Sequence, residues 1–288
     1  MKNILSFDIE DWFHIMGIPQ LEDPKNWDDL PSIVVDHTVL ILKIIREADV
    51  KATFFMLGWV AERYPSLIRM ICNDGHEVAT HSYWHRKVFQ LTAEEFYKDL
   101  KRSIDVIEQQ SGQKVVGFRA PSFSIIPGCE WAFDVLWDLG LEYDASLFPS
   151  KRSPAYAKAL AGRSGGYPCQ KQIHIIKEDK AKGKKIMEIP MSMIDIGPLK
   201  LPFSGGGYLR VLPKSIIRFG FEQNIKRKLP VNVYLHPRDF AVDCPRIPMP
   251  ILKKFKCYTG LKTTQGKLKM LLENYEFDTC INVLEEYG

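Results

Sequence analysis

The strongest constraint on this chain is a rhythm. Over residues 3–145, short apolar, β-branched or aromatic runs alternate with stretches of helical period, and the links between them are short. Residues 3–9 (NILSFDI) read as a buried strand running into acids. Residues 32–48 place Val34, Val35, Val39, Leu42 and Ile45 at helical spacing. Residues 51–57 (KATFFML) form a second strand closed by Gly58; 60–73 form an amphipathic helix stopped by Asp74-Gly75. Residues 76–80 (HEVAT) are a third strand. Residues 92–110 open on Thr92-Ala93-Glu94-Glu95, a capping box, and run as a helix to Gly112. Residues 114–118 are a strand, 130–139 a helix ended by Gly140, and 142–145 another strand. This alternation predicts an α/β fold with a parallel sheet or barrel, and excludes a helical bundle or a sandwich.

Residues 146–185 break the rhythm. They are rich in Gly, Pro and Lys and end in KAKGKK at 180–185. A solvated insertion is expected there, with a basic rim for an anionic substrate as the alternative reading. Residues 185–190 (KIMEIP) return to a strand. Residues 201–210 (LPFSGGGYLR) are a glycine-rich loop without the GK[ST] ending of a P-loop or a GxGxxG pattern. They are not expected to cradle a nucleotide, although a close backbone approach to a ligand fits them. Residues 230–235 (PVNVYL) are a strand that delivers His236-Pro237. Residues 261–273 are a helix, and 279–287 a last short strand and helix. The expected organisation is one catalytic domain over 1–288, with a basic insertion at 146–185 and a C-terminal extension at 240–288.

Composition excludes several classes. Of 288 residues, 45% are hydrophobic and 26% charged, which suits a globular chain and not a disordered one. The net charge of +4 is too small to argue for nucleic acid. No apolar run approaches the roughly 18 residues of a membrane span. The first strand starts at once and is followed by Asp8, Glu10 and Asp11, so a cleavable leader does not fit. The six cysteines are scattered and form no CxxC pair, which agrees with a reducing compartment. A cytoplasmic location is therefore expected.

In parallel α/β folds, chemistry stands at the carboxyl ends of the strands. Here those ends carry Asp8, Glu10 and Asp11; His81-Ser82-Tyr83-Trp84-His85; Arg119-Ala120-Pro121; Asp144; and His236. Acids, histidines and one arginine thus converge from five strands. The i,i+4 spacing of His81 and His85 would put both imidazoles on one side of a helical turn, within reach of one metal ion. Two histidines and a carboxylate leave positions open for water and substrate, as catalytic metals require. Asp8 and Glu10 share one side of an extended strand, so either could be the ligand and the other a base. Asp11 competes if the chain turns after Ile9. His76 and His81 are one residue too far apart for HExxH, so His76 is expected to be structural. Trp12, Phe13, Tyr83, Trp84 and Phe123 flank these motifs, either to stack on sugar faces or to pack the rim.

The segments SFDIEDW (6–12), ATFFMLGW (52–59), GHEVATHSYWH (75–85), GFRAPSFSI (117–125), YDASLFP (143–149) and YLHP (234–237) occur in an order that resembles the polysaccharide deacetylase superfamily, carbohydrate esterase family 4. The branch it resembles most groups peptidoglycan-deacetylase-like and allantoinase-like proteins with deacetylases of exopolysaccharide loci. The resemblance implies an irregular (β/α) barrel of about seven strands. It implies that His81 and His85 are metal histidines, that Asp8 is the catalytic base, and that Arg119 orients that base and helps bind acetate. It further implies that Asp144 tunes the acid and that His236 is the general acid. The commonest family motif has two adjacent aspartates, whereas this chain reads Asp-Ile-Glu-Asp-Trp; the spacing of the closer branch makes Glu10 the metal carboxylate. The implied cofactor is one divalent ion, Zn²⁺ being expected. The implied reaction is removal of N-acetyl groups from an amino sugar; with no leader expected, a nucleotide- or lipid-linked precursor of the polysaccharide is the natural candidate beside the polysaccharide itself, with peripheral contact to a lipid-linked substrate, and the small net charge gives no nucleic-acid partner. Two alternatives use the same rim: an allantoinase-like hydrolase of another C–N bond, and a catalytically silent carbohydrate-binding protein.

Overall fold

Ile4, Leu5, Phe7 and Ile9 expose no surface, because the strand that carries them is flanked by neighbours on both edges and covered on both faces. The computed structural model describes residues 1–149, 167, 169–197 and 199–287. Its first half follows the alternation: β1 (Asn3–Ile9), α1 (Pro19–Glu22), α2 (Val34–Glu47), β2 (Thr53–Met56), α3 (Gly58–Arg63), α4 (Pro65–Asn73), β3 (Glu77–Thr80), α5 (Ala93–Ser111), β4 (Gly117–Phe118), α6 (Trp131–Asp138) and β5 (Tyr143–Asp144). Next come β6 (His174–Asp179), β7 (Lys184–Glu188), β8 (Met193–Ile196), β9 (Leu199–Pro202), α7 (Gly206–Val211), α8 (Lys214–Lys226) and β10 (Asn232–Leu235). The chain closes with α9 (Ile251–Tyr258), α10 (Leu261–Asn274), β11 (Phe277–Asp278) and α11 (Cys280–Tyr287).

The main sheet has the order β10-β1-β2-β3-β4-β5-β7-β6, with β11 added beside the start of β1. Pairing is parallel from β10 to β7, and only β6 is antiparallel. The path therefore has the seven parallel strands that the sequence led us to expect of a deacetylase-type barrel. Its curl is visible in one side chain. Arg119, at the end of β4, touches Ser6 and Asp8 of β1 and Asn232 of β10, strands that are not its neighbours. Outside the sheet, Ile41 and Ile45 of α2, Leu67 and Ile71 of α4, and Leu100 and Ile104 of α5 join Phe7, Phe54 and Phe118 in one buried cluster. Each such side chain stabilises the fold by about 1.5–3 kcal/mol.

Three elements differ from the sequence expectation. Residues 60–73 are two helices rather than one. Pro65 has no amide hydrogen to continue the first, and Tyr64 before it sits at φ −125°, ψ 61°. Part of the expected insertion (150–166 and 168) lies outside the described residues; in its last third β6 and β7 form a hairpin whose turn is KAKG, 180–183. Since β7 runs parallel to β5, Lys184 opens the strand at the end opposite the catalytic rim, so this turn does not form a basic border to the site. The glycine-rich stretch is not an open loop, because β9 and α7 occupy most of it.

Candidate active site

Asp8, in β1, and Glu10, immediately after it, share a face at the centre of the rim, both buried. Asp8 is held by Arg119, whose Nη1 donates to Asp8 Oδ1 at 2.7 Å and to Ser6 Oγ at 3.0 Å. The same guanidinium donates from Nε to the carbonyl of Ala145 at 3.2 Å and lies 4.0 Å from the centre of the Phe55 ring. Arg119 is wholly buried, so Asp8 is a paired charge in a dry setting with its second oxygen left over.

His81 and His85 converge, but not on a helical turn. Residues 81–85 form a loop in which Ser82 (φ 65°) and His85 (φ 55°) take left-handed backbone. Non-glycine residues there cost on the order of 1–3 kcal/mol each. The loop is held from α3 and α5. The carbonyl of Ser82 accepts from Gly58 N at 2.8 Å and from Ser103 Oγ at 2.9 Å, and Tyr83 N donates to Asp99 Oδ2 at 2.7 Å. His81 Nδ1 lies 2.8 Å from the Arg119 carbonyl, which only an N–H can satisfy, so its Nε2 keeps a free lone pair. Burial pushes the His81 imidazole down to about 4, so it is neutral and fit to be a ligand.

Glu10, His81 and His85 each offer a donor atom, all within 4.8 Å of one another. Glu10 Oε2 lies 2.5 Å from His85 Nε2 yet makes no well-directed hydrogen bond. Burial would raise the Glu10 carboxyl, but His85, His236 and Arg238 more than reverse this and hold it well below the usual carboxylate range. Asp11 is not in this cluster. Its carboxylate caps the short helix Trp12–His14 and takes hydrogen bonds from Ser32 Oγ at 2.5 Å and from the amides of Trp12 (2.8 Å) and Ile33 (3.2 Å).

His236 follows β10 and faces both acids, with Nε2 at 3.7 Å from Asp8 Oδ2 and 3.8 Å from Glu10 Oε1. Its Nδ1 lies 2.9 Å from Asp239 Oδ2. Burial alone would lower the imidazole, yet the Asp239 carboxylate and its hydrogen bond outweigh that and raise it. Asp239 is fixed in turn by Arg210, Nε to Oδ1 at 2.9 Å. Arg210 also donates to the carbonyls of Lys256 (2.6 Å), Cys257 (3.1 Å) and Thr259 (2.8 Å) at the end of α9. The glycine-rich stretch makes this possible. A Cβ on Gly206 would stand 2.3 Å from Asp239 Oδ2, and one on Gly205 would stand 2.0 Å from the Tyr234 ring. The close approach expected of these glycines is thus to the neighbours of His236.

Asp144 sits elsewhere. The family resemblance implied that it tunes the acid, but its hydrogen bond is with Ser146, and its register partner is Glu188 on β7; the carboxylate on His236 is Asp239. Asp144 and Glu188 are both fully buried, and burial raises both, Asp144 to about 6 and Glu188 well above its usual range. Of the flanking aromatics, Trp12, Phe13, Tyr83 and Phe123 are buried and pack the rim, while Trp84 is half-buried. His76 precedes β3 at the far end of the sheet and is buried there, as a structural residue would be. The sequence reading missed Asp239, Arg210, Glu188 and Asn232. Only Asp239 carried a signal, since an acid three residues after a histidine matches a capping arrangement.

Residues 26–127, which carry His81, His85 and Arg119, match the polysaccharide deacetylase family, and residues 155–285 match a domain of unknown function, DUF3473. The peptidoglycan-N-acetylglucosamine deacetylase of Bacillus cereus is 29% identical over 107 residues, which is 37% of this chain and 38% of that protein. The peptidoglycan deacetylase of Helicobacter pylori is 30% identical over 120 residues, 41% of this chain and 39% of that protein. The match thus spans about two fifths of the length of these relatives. A protein from Mycobacterium smegmatis assigned as a polysaccharide deacetylase shares the fold with a TM-score of 0.61 at 18% identity, over 99% of this chain and 88% of that one. A family pseudoenzyme from Bacillus anthracis aligns with a TM-score of 0.50 at 16% identity, over 98% of this chain and 66% of that one. The strands that bear the two histidines and the arginine thus lie in a segment, residues 26–127, that matches the polysaccharide deacetylase family, and nearly the whole chain shares the fold of the Mycobacterium smegmatis protein.

Proposed function

We propose that this chain is a metal-dependent N-deacetylase that hydrolyses the acetamide of an amino sugar, in a polysaccharide or on its nucleotide- or lipid-linked precursor. One observation carries the reading. A buried carboxylate and a half-buried imidazole, Asp8 and His236, face each other at 3.7 Å beside a three-donor cluster.

Glu10, His81 and His85 would hold the ion. A neutral imidazole with a free Nε2, a second imidazole and an unprotonated carboxylate suit a divalent cation of the zinc type. Such an ion supplies Lewis-acid polarisation of an acyl oxygen and acidification of water. The remaining work falls to the chain. Arg119 occupies Asp8 Oδ1, so Oδ2 is the atom that takes the proton of the attacking water. A C–O bond forms, the C–N bond breaks, and the amine leaves only if it is protonated. His236 supplies that proton from Nε2, because Asp239 holds Nδ1. The products are acetate and a free amino sugar. The presence of base, acid and all three ligands together speaks against a silent carbohydrate-binding protein. All six cysteines are unpaired, which supports meeting the substrate in a reducing compartment, the cytoplasm.

The test is acetate release from nucleotide-linked, lipid-linked and free N-acetyl sugars, with and without chelator. We expect release that chelation abolishes and that His236→Ala lowers by about 10²–10⁴-fold. Turnover that survives both unchanged refutes the reading.

A further inference from the structure

Helix α9 carries its apolar side chains on the outside. Ile251 is 85% exposed and Phe255, one turn later, is 53% exposed, with the exposed Lys254 and Lys256 beside them. Another side is tied down. Lys253 Nζ donates to the carbonyl of Met16, just downstream of Glu10, and Arg210 holds the carbonyls at the helix end. A surface helix normally turns its apolar stripe inward, so packing does not account for the outward pair. Charge is uneven here as well. Between Asp243 and Glu273 there are seven Lys and Arg and no Asp or Glu, in a chain whose net charge is only +4. Arg246, Lys254, Lys256 and Lys262 are exposed, and Arg246 lies over the Tyr258 ring at 4.9 Å. The nearest acid in sequence, Asp243, stands at the margin and pairs with His37.

We propose that α9 and the basic segment around it dock on an anionic lipid surface, with Ile251 and Phe255 entering the headgroup layer and Arg246, Lys254, Lys256 and Lys262 meeting lipid phosphates. Apolar anchors inside a ring of cations are the chemistry of an interfacial helix. A second copy meeting the same face symmetrically would set lysine against lysine, which disfavours a dimer there. The helix is joined to the site through Arg210 and Asp239, so docking would bring the rim to saccharides carried on a lipid phosphate. Only this choice of substrate rests on the deacetylase reading.

The experiment is co-sedimentation of the full chain with phosphatidylcholine vesicles, with and without phosphatidylglycerol, across a salt series. Binding is expected only to the anionic vesicles and should weaken with salt. Ile251→Asp with Phe255→Asp should lower vesicle affinity at least tenfold. Lys254→Ala and Lys256→Ala should each lower it about fivefold, the equivalent of about 1 kcal/mol per basic side chain. The proposal is overturned if neither vesicle binds, if both bind equally, or if the Asp variants bind as well as wild type. It is also overturned if sedimentation velocity finds a dimer that those variants dissolve. Acetate release from a soluble N-acetylated oligosaccharide, measured on the same samples, separates the two readings. Release without vesicle binding overturns the docking alone; vesicle binding without release on any substrate leaves the docking standing and removes the deacetylase.

Discussion

Asp239 holds His236 twice, accepting from its backbone N–H at 2.9 Å and from its Nδ1 at 2.9 Å. One carboxylate thus fixes where the ring stands and which nitrogen faces the substrate. Asp239→Asn should therefore lower kcat by about 10²–10⁴-fold, close to the effect of removing the acid itself. It also leaves Arg210 buried without its counter-charge, at a cost of about 3–5 kcal/mol. Steady-state acetate release with thermal melts checks both effects, and a variant with wild-type kcat would show that Asp239 does not govern the acid.

Gly206→Ala reaches the same carboxylate from the other side. The added Cβ would stand 2.3 Å from Asp239 Oδ2, so that side chain must move away from His236. We expect kcat to fall at least tenfold while metal content is unchanged. Metal analysis alongside kinetics distinguishes this from general unfolding.

The metal set separates neighbouring acids. Glu10→Ala, His81→Ala and His85→Ala should each bind zinc or cobalt at least 100-fold more weakly than wild type, since each removes one of the three donors. Asp11→Ala should bind the ion as wild type does, but lose about 1–2 kcal/mol of stability with its helix cap. Titration of the metal-stripped protein reads out all four variants.

Asp144 and Glu188 predict a pH dependence of stability. Both carboxyls are raised in the folded chain, Asp144 from 3.8 to about 6. The native state therefore holds protons that the unfolded chain has released. The stability these protons contribute is fully present below the unfolded values near 4 and is lost as pH rises through about 6 and beyond. Glu188→Gln removes the carboxyl that is raised furthest and leaves only Asp144 to titrate. It should flatten this decline, by on the order of 2 kcal/mol between acidic and mildly alkaline pH. Urea unfolding at pH values on both sides of 6 tests it; parallel wild-type and variant curves would contradict the assignment.

Much of this site was legible in the sequence because strand ends are legible. NILSFDIED, HEVATHSYWH, GFRAP and YLHP each carry an apolar run that stops at polar residues, and a parallel sheet brings such stops to one rim. The loop that joins His81 to His85 was not legible, because nothing in Ser82 or His85 marks a left-handed backbone; contacts with Ser103 and Asp99, distant in sequence, impose it. Arg210 was hidden for a related reason. It lies in a helix that a triple glycine disguises, and its role depends on carbonyls contributed by α9. Glu188 is paired with Asp144 only by the register of β7, which the Gly- and Lys-rich stretch before it obscures.

The place of β1 has a consequence for how the protein is made. β1 ends between β2 and β10, and the latter is completed only at Leu235. Until then one edge of β1 has open amides and carbonyls, and Asp8 lacks the imidazole of His236 that faces it. A nascent chain must shield that edge while all the residues between β1 and β10 are being made.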